Sequence, residues 1–173
     1  MKIALITDQH LDGRKGNINF WNYFQKFYDD IFFPTLEKEG ITTILDLGDT
    51  FDNRKSMDYN TFNRIEANYF RRLKDYTVHM ILGNHCTYYK NTNDINSPEL
   101  LLDKYSNITI YSKPKDIKLG GKSFLMMPWI NAGNKDEAVK HINESKSEIM
   151  CGHLECDGFE VTPGMRHEGG FKV

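Results

Sequence analysis

The chain has 173 residues and a formal net charge of −2, with 39% hydrophobic, 13% aromatic and 27% charged residues. This length suits one domain that buries its own core, and the composition excludes wholesale disorder and fibrous repeats. Because the overall charge is slightly negative, a polyanionic partner would have to be met by local basic patches or bound metal.

Neither a membrane span nor an export signal is visible in the sequence. No stretch approaches the roughly 18 consecutive apolar residues that a span needs. The three cysteines lack CxxC spacing, which fits reduced thiols. We therefore expect a soluble protein of the cytoplasm.

The first half of the chain alternates between predicted strands and predicted helices. Apolar runs predict strands buried on both faces at residues 2–7, 42–47 and 78–82. A helix is predicted over residues 18–39, which Pro34 kinks or divides and Gly40 closes. A second helix is marked by Phe62, Ile65, Tyr69 and Leu73. The order βαβαβ predicts an α/β fold with a parallel sheet covered by helices.

The second half of the chain has a different pattern. Ser97 is predicted to cap a short helix that has Pro98 at its first position. A hairpin is expected to turn at Gly120 and Gly121. The other expected elements are a strand at 107–112, a helix at 135–143 and a buried strand at 148–151. The tail over 154–173 shows no clear regular structure.

Polar side chains follow four of the predicted strands: Asp8 and His10, Asp49 and Asp52, Asn84 and His85, and His153. The carboxyl ends of parallel strands meet at one edge of a sheet, so we expect these side chains to converge. Each has an ordinary alternative, since aspartate, asparagine and histidine are common in turns and helix caps. Their joint occurrence in this order favours a metal site.

The remaining histidines and the cysteines are interpreted structurally. His79 lies in a strand and His141 on a helix, and neither is assigned a role, while His167 in the tail stays open. Cys151 and Cys156 flank a histidine, but core packing and a loop thiol are preferred over a zinc site.

Carboxylate, imidazole and carboxamide ligands suit Mn²⁺, Fe²⁺ or Zn²⁺. Asp49 is central in the order of the motifs and is therefore the natural bridge between two ions, which would lie about 3.5 to 4 Å apart. Such a pair of ions is suited to hydrolysis of phosphate esters.

The motifs ITDQH, GDTFD, GNH and GH, in this order and spacing, resemble the calcineurin-like metallophosphoesterase superfamily. Within it the sequence is most similar to the DNA double-strand-break repair nucleases, the SbcD-like branch, and to their bacteriophage recombination relatives. The similarity also includes FDNRK, YYKNT, SPELL, KYSNI, the PW pair and GHLE, and it covers nearly all of residues 1–166.

The resemblance implies a layered metallophosphoesterase sheet with flanking helices, and two divalent ions, expected to be manganese. It assigns Asp8, His10 and Asp49 to one ion, and Asp49, Asn84 and His153 to the other. It also implies that His85 contacts the scissile phosphate and helps to protonate the leaving oxygen. Asp52 either binds near the phosphate or caps the following loop.

The implied partners are DNA ends and a coiled-coil ABC-type ATPase subunit, SbcC-like, in the host cytoplasm if a phage encodes the chain. We further expect a possible homodimer and no association with a membrane.

Basic and aromatic residues flank the expected site, where they could contact DNA or could belong to ordinary solvated loops. They are Arg14 and Lys15, Arg54 and Lys55, and the loop Tyr88, Tyr89 and Lys90. Arg71, Arg72 and Lys74 end a helix and are interpreted as structural.

Two departures from the family pattern bear on activity. Cys86 stands where the family has an acidic residue that orients the histidine, so we expect His85 to be less firmly held. The later G-H-x-H motif is absent from residues 1–173, which leaves three protein ligands for each ion and predicts weak metal retention. We therefore expect a domain that is C-terminally incomplete, without its last ligand motif, capping domain and partner-binding region.

The sequence is compatible with three functions. The preferred one is a two-metal DNA phosphodiesterase, an exonuclease or endonuclease subunit in double-strand-break repair or phage recombination. The second is a metallophosphoesterase of small phosphodiesters or phosphoproteins. The third is a non-catalytic subunit with a degraded site that binds DNA ends or the ATPase.

Overall fold

The structure is a computed structural model that describes residues 1–168 and residue 170. Its first sheet has four parallel strands in the order β1-β2-β3-β4. They are β1 Ala4–Ile6, β2 Thr43–Asp46, β3 Thr77–Ile81 and β4 Ile108–Tyr111. The predicted parallel sheet is confirmed, with each strand within two residues of its expected bounds.

A second sheet has the order β5-β6-β7. Its strands are β5 Lys115–Leu119, β6 Lys122–Met127 and β7 Ile149–Gly152. The first two form the expected antiparallel hairpin, and β7 runs parallel to β6. A buried cluster of Leu45, Ile81, Phe124, Met126 and Cys151 packs the two sheets together, so Cys151 is a core residue as expected.

Helices cover the other face of the first sheet. They are α2 Ile18–Phe27, a π-helical segment Tyr28–Phe32, α3 Phe33–Glu39, α4 Tyr59–Asn68, a 3₁₀ segment Phe70–Asp75 and α5 Ser97–Leu102. Their apolar side chains bury a large cluster, including Trp21, Tyr28 and Ile65, against the sheet. On the second sheet, α6 Lys135–Glu144 buries Ala138 against Leu125 and Met127.

Pro34 divides the long predicted helix, because the helical turn before it widens into a π-helix. Proline has no N–H, and its ring clashes with the carbonyl four residues earlier. The backbone N–H of Phe33 therefore donates to the carbonyl of Tyr28 across a π-helical turn before α3 begins. Gly40 closes α3 with left-handed φ and ψ of 62° and 36°, as expected.

Two helix predictions need correction. The helix marked by Phe62 and Leu73 ends at Asn68, and the chain then tightens into the 3₁₀ segment, in which Phe70 and Leu73 share one buried face. Asn96, and not Ser97, caps α5, because the Asn96 side chain accepts the N–H of Glu99 at 2.9 Å.

Two of the strands expected to be buried, β1 and β7, are partly exposed because they lie at sheet edges, whereas β2 is buried as expected. Leu5 of β1 is 63% exposed, and Ile149 and Met150 of β7 are 41% and 46% exposed. Both strands have a paired neighbour on one side only in the part of the chain that is described.

The tail, to which the sequence pattern assigned no regular structure, contains a short hairpin of β8 Glu160–Thr162 and β9 Met165–Arg166. The last part of that tail, residues 169 and 171–173, lies outside the described residues. Among the described residues, no helix combines the length and the apolar character needed to cross a bilayer.

Candidate metal centre

Two loops that leave β1 and β2 build most of the site, and backbone hydrogen bonds hold them together. The N–H groups of Asp8 and His10 donate to the carbonyls of Gly48 and Asp49 at 3.0 and 2.9 Å. Asp8, His10 and Asp49 have φ values of 51°, 43° and 51°. Non-glycine residues rarely adopt this left-handed conformation, and they do so most often where function requires it.

Two glycines allow the ligand side chains to approach one another. A Cβ on Gly48, whose φ is +100°, would lie 2.7 Å from Nδ1 of His153. A Cβ on Gly83 would lie 2.1 Å from Oδ1 of Asp49 and 2.4 Å from its backbone nitrogen. Any larger residue at either position would displace a predicted ligand.

Asp49 lies at the centre of the predicted ligands. Its Oδ1 accepts the backbone N–H of His85 at 2.8 Å. Its Oδ2 lies 3.4 Å from Nε2 of His153 and 3.9 Å from Nε2 of His10. The same nitrogen of His10 lies 3.9 Å from Oδ1 of Asp8. Two predicted ligands, His10 and His153, therefore approach the same oxygen of Asp49.

The side chains of Asn84 and His153 meet next to the carboxylate of Asp49. Nε2 of His153 lies 3.1 Å from Oδ1 of Asn84, and its Nδ1 lies 3.0 Å from the carbonyl of Leu47. A carbonyl can only accept, so Nδ1 carries a proton, and Nε2 faces the side-chain oxygens of Asp49 and Asn84. This arrangement of a histidine and a carbonyl is typical of metal-ligating histidines.

The donor set fits divalent metal. The ligand atoms of Asp8, Asp49 and His153 all lie within 4.8 Å of one another. The chemistry of the set, two carboxylates, imidazoles and one carboxamide, favours borderline or hard ions such as Mn²⁺, Fe²⁺ or Zn²⁺.

A second group of His10, Asp52 and His85 lies beside the first. Oδ1 of Asp52 is 3.1 Å from Nδ1 of His10 and 3.5 Å from Nδ1 of His85. The two imidazole rings meet edge to face, with centroids 5.0 Å apart. The carboxylate of Asp52 is thus placed between the two histidines, an arrangement that neither of its predicted roles described.

The expectation that Cys86 leaves His85 less firmly held stays a prediction, and the structure shows another group that contacts the ring. Nδ1 of His85 lies 3.0 Å from the backbone carbonyl of Asp52, which orients the ring. The Cys86 side chain is fully buried, and burial raises the pKa of its thiol to about 12, although the backbone N–H groups of Phe51 and Gly83 act against this. The neutral thiol is a core group, and the backbone carbonyl of Asp52 contacts the His85 ring.

Asp12 is a site residue that the sequence motifs did not reveal. Its buried carboxylate accepts the backbone N–H groups of Asp52 and Asn53 at 2.6 and 3.1 Å, and the Asn53 amide at 2.6 Å. Asp12 therefore caps the loop that Asp52 was expected to cap. Its position four residues after Asp8, in DQHLD, was the available signal.

Asp46 is a second site residue that the sequence motifs did not reveal, because it lies within the apolar run of residues 42–47. Its fully buried carboxylate accepts hydrogen bonds from Nε2 of Gln9 and Oγ1 of Thr50, each at 2.8 Å, and from the N–H of Gly48 at 3.1 Å. Burial raises the pKa of Asp46 to about 7 despite these donors. Its hydrogen bonds link the turn after β2 to the loop after β1.

The electrostatics of Asp49 and His153 suit a charged pair. Burial raises the pKa of Asp49, but the hydrogen bond and charge of His153 and the N–H of His85 outweigh burial, so the net shift is downward. Burial lowers the pKa of His153, but the hydrogen bond and charge of Asp49 outweigh it and raise the pKa. The carboxylate is thereby held in its anionic, metal-binding form.

The other histidines lie in structural contacts. Nδ1 of His79 is 2.7 Å from the hydroxyl of Tyr111, and Nε2 of His141 is 2.8 Å from Asp116. The backbone N–H of His167 donates to the carbonyl of Phe159 within the tail hairpin.

Two groups of cations that the sequence analysis interpreted differently also differ in their contacts. Arg72 pairs with Asp29 and stacks on Phe33, so its structural interpretation is confirmed. Arg14 and Lys15 are exposed on a left-handed turn in the short segment α1 Gly13–Gly16.

A family model for calcineurin-like phosphoesterase matches residues 1–164. Over 135 residues the chain is 36% identical to exonuclease subunit 1 of Enterobacteria phage T4, an alignment that spans 77% of this chain and 40% of that protein. The chain thus spans less than half the length of this curated relative.

Solved structures similar to the chain include the nuclease MPE of Pseudomonas putida, with 21% identity and a TM-score of 0.45 over 72% of this chain and 51% of that one. The Aquifex aeolicus protein AQ665, of unknown function, has 17% identity and a TM-score of 0.46 over 86% and 75% of the two chains. Because the family model matches nearly the whole chain, the chain belongs to the calcineurin-like phosphoesterase family.

Proposed function

We propose that this chain is the nuclease module of a two-metal DNA phosphodiesterase that acts on DNA ends in double-strand-break repair or phage recombination. The observation that carries the proposal is the position of Asp49, whose Oδ2 lies near the histidines assigned to the two ions and whose Oδ1 accepts the N–H of His85. That geometry supports a shared carboxylate between two ions.

In this proposal Asp8, His10 and Asp49 hold one manganese ion, and Asp49, Asn84 and His153 hold the other. When bound, such ions stabilise the negative charge that develops on the attacking and leaving oxygens of a phosphodiester. Asp49 contributes an anionic oxygen to both sides, and the carbonyl of Leu47 keeps Nε2 of His153 free to coordinate.

The role of His85 in this proposal follows from its orientation. With Nδ1 directed to the carbonyl of Asp52, its Nε2 is left for the substrate. Its side chain is 40% exposed, so an entering phosphate can reach it. There it donates a hydrogen bond to the phosphate and helps to protonate the leaving oxygen. Asp52 positions both histidine rings from between them.

DNA is proposed as the substrate because the T4 relative is named an exonuclease subunit and because Arg54 and Lys55 line the opening beside His85. Cations there suit a phosphate backbone. A coiled-coil ABC-type ATPase is proposed as the partner, since the relative is a subunit, and the chain is proposed to act in the cytoplasm.

The test compares manganese-dependent release of nucleotides from linear duplex DNA with turnover of a small chromogenic phosphodiester. We expect the DNA to be the better substrate, and we expect Asp49→Asn to abolish both reactions. Preferred turnover of the small diester would favour the small-substrate alternative. DNA binding without any hydrolysis at saturating manganese would favour a non-catalytic subunit.

A further inference from the structure

A cleft leads away from the candidate site. Its first part, of about 380 Å³, is lined by residues 52–56 and His85. A second part, of about 180 Å³, shares residues 53–56 and continues between Tyr88, Ile95 and Leu100; we name it the Tyr88 cleft. Because the two parts share a wall, a chain held with one phosphate at His85 would extend into the Tyr88 cleft.

The Tyr88 cleft has apolar walls that are open to solvent. Tyr88, Ile95 and Leu100 are 38%, 45% and 72% exposed. Large exposed apolar side chains that gather beside a site usually contact a ligand or a partner. The volume is well below the roughly 300 to 1,000 Å³ of a drug-sized pocket, which suits a single ring system.

Two cations lie between the apolar walls and the candidate site. Nζ of Lys55 is 5.7 Å from the centroid of the Tyr88 ring. Arg54 donates from Nη1 to the carbonyl and hydroxyl of Thr87, at 3.1 Å each, and lies over the Trp129 ring. Neither contact neutralises the positive charge, so both cations can meet phosphate.

The wall that carries Tyr88 is rigidly joined to the site. Thr87 and Asn96 form an antiparallel bridge, and the N–H of Tyr88 donates to the carbonyl of Ile95 at 2.8 Å. The N–H of Ser97 donates to the carbonyl of Cys86 at 2.9 Å. The loop is therefore ordered before any ligand binds, which lowers the entropic cost of binding.

We propose that the Tyr88 cleft binds one unstacked nucleobase of a DNA strand whose neighbouring phosphate lies at His85, an inference that rests on the proposed function. The base stacks on the Tyr88 ring against Leu100, and Lys55 moves from the ring to the adjoining phosphate. A base inside a duplex has both faces covered by its neighbours, so the cleft selects single-stranded or frayed ends.

The experiment measures binding of a fluorescent oligothymidylate, an abasic strand of equal length and a blunt duplex by fluorescence anisotropy. The variants are Tyr88→Ala, Tyr88→Phe and the control Tyr59→Ala, which removes a tyrosine that is 94% exposed and lies outside the cleft. Manganese-dependent hydrolysis of the same strands is measured in parallel.

We expect Tyr88→Ala to weaken oligothymidylate binding about tenfold, as for the loss of one stacked base. Tyr88→Phe and Tyr59→Ala should bind as the wild type does. Binding of the abasic strand and of the duplex should be the same in Tyr88→Ala and in the wild type.

An equal loss on the abasic strand would overturn the inference, because Tyr88 would then act without a base. If the wild type hydrolyses the strands but Tyr88→Ala does not weaken oligothymidylate binding, the base-binding role of the cleft is wrong and the proposed function still holds. Tyr88-dependent binding without hydrolysis by the wild type would support the cleft and contradict the proposed enzyme.

Discussion

Asp49 keeps its position through contacts on three sides. The N–H of His85 donates to one carboxylate oxygen, His153 lies beside the other, and the backbone nitrogen of Asp49 lies against Gly83. The ligand types and their strand-end positions were readable in the sequence because strand ends in a parallel sheet converge. The roles of Asp12 and Asp46 were not readable, because they depend on which loops meet in three dimensions.

Gly83 is expected to be required for space alone, since its φ is not in the left-handed region. In Gly83→Ala the new methyl would overlap Asp49, so we predict a loss of about 1 to 3 kcal/mol in the free energy of unfolding and loss of DNA hydrolysis. Urea denaturation and a nuclease assay measure the two effects.

The control for Gly83 is Gly121→Ala. Gly121 has φ of +81° but no neighbour within 4 Å of a new Cβ. This variant should lose about 1 kcal/mol through backbone strain and keep its activity. Full activity in Gly83→Ala would show that Asp49 tolerates displacement.

Cys86 and His85 are expected to behave very differently. Because the carbonyl of Asp52 orients His85, Cys86→Ala should retain hydrolysis within a few-fold and lose roughly 1 kcal/mol of stability. His85→Gln should lower kcat on DNA by about 100-fold or more. A loss of kcat in Cys86→Ala as large as in His85→Gln would assign the thiol a part in catalysis.

Single elements were predicted well where a local pattern determines them. The β5–β6 hairpin turns at Gly120 and Gly121 as expected, since two adjacent glycines accept the left-handed turn conformation. The π-helical turn before Pro34 was not predicted, because proline indicates a disturbance but not its geometry. The exposure of β1 and β7 was also not readable, since an apolar run gives no sign of what covers it.

The β3–β4 pair is expected to carry a pH-dependent contribution to stability. Burial lowers the pKa of His79, which stacks on Tyr111, below its ordinary value of 6.5. The unfolded chain therefore binds a proton at higher pH than the native one, and the free energy of unfolding falls as the pH drops below about 6.5.

Urea denaturation between about pH 8 and pH 5 tests this contribution. The control, His79→Phe, keeps a ring against Tyr111 and cannot titrate. We expect the wild type to lose stability relative to His79→Phe as the pH falls. Parallel pH profiles for the two proteins would contradict the assignment.

At the scale of the whole molecule, two sheets share a core and together present the site at one end. β1 and β7 each leave a sheet edge with exposed apolar side chains, among them Leu5 and Ile149. Unpaired edge strands with apolar side chains promote pairing between copies of a chain.

We therefore expect Ile149→Lys to reduce self-association of the chain at high concentration, as measured by light scattering, because a charge on an edge strand opposes pairing. The matched control is Tyr23→Lys, at a 74% exposed position on helix α2. Equal scattering by both variants and the wild type would show that the β7 edge is not the contact.

Asp49 is expected to be shared by two ions, and manganese titration followed by electron paramagnetic resonance measures whether it is. At saturating manganese, which offsets the weak retention expected from three ligands per ion, the wild type should bind two Mn²⁺ ions with the magnetic coupling of a pair about 3.5 to 4 Å apart. His10→Ala and Asn84→Ala should each leave one uncoupled ion, and Asp49→Asn should bind neither tightly. Two coupled ions in Asp49→Asn, or a single ion in the wild type, would contradict the account.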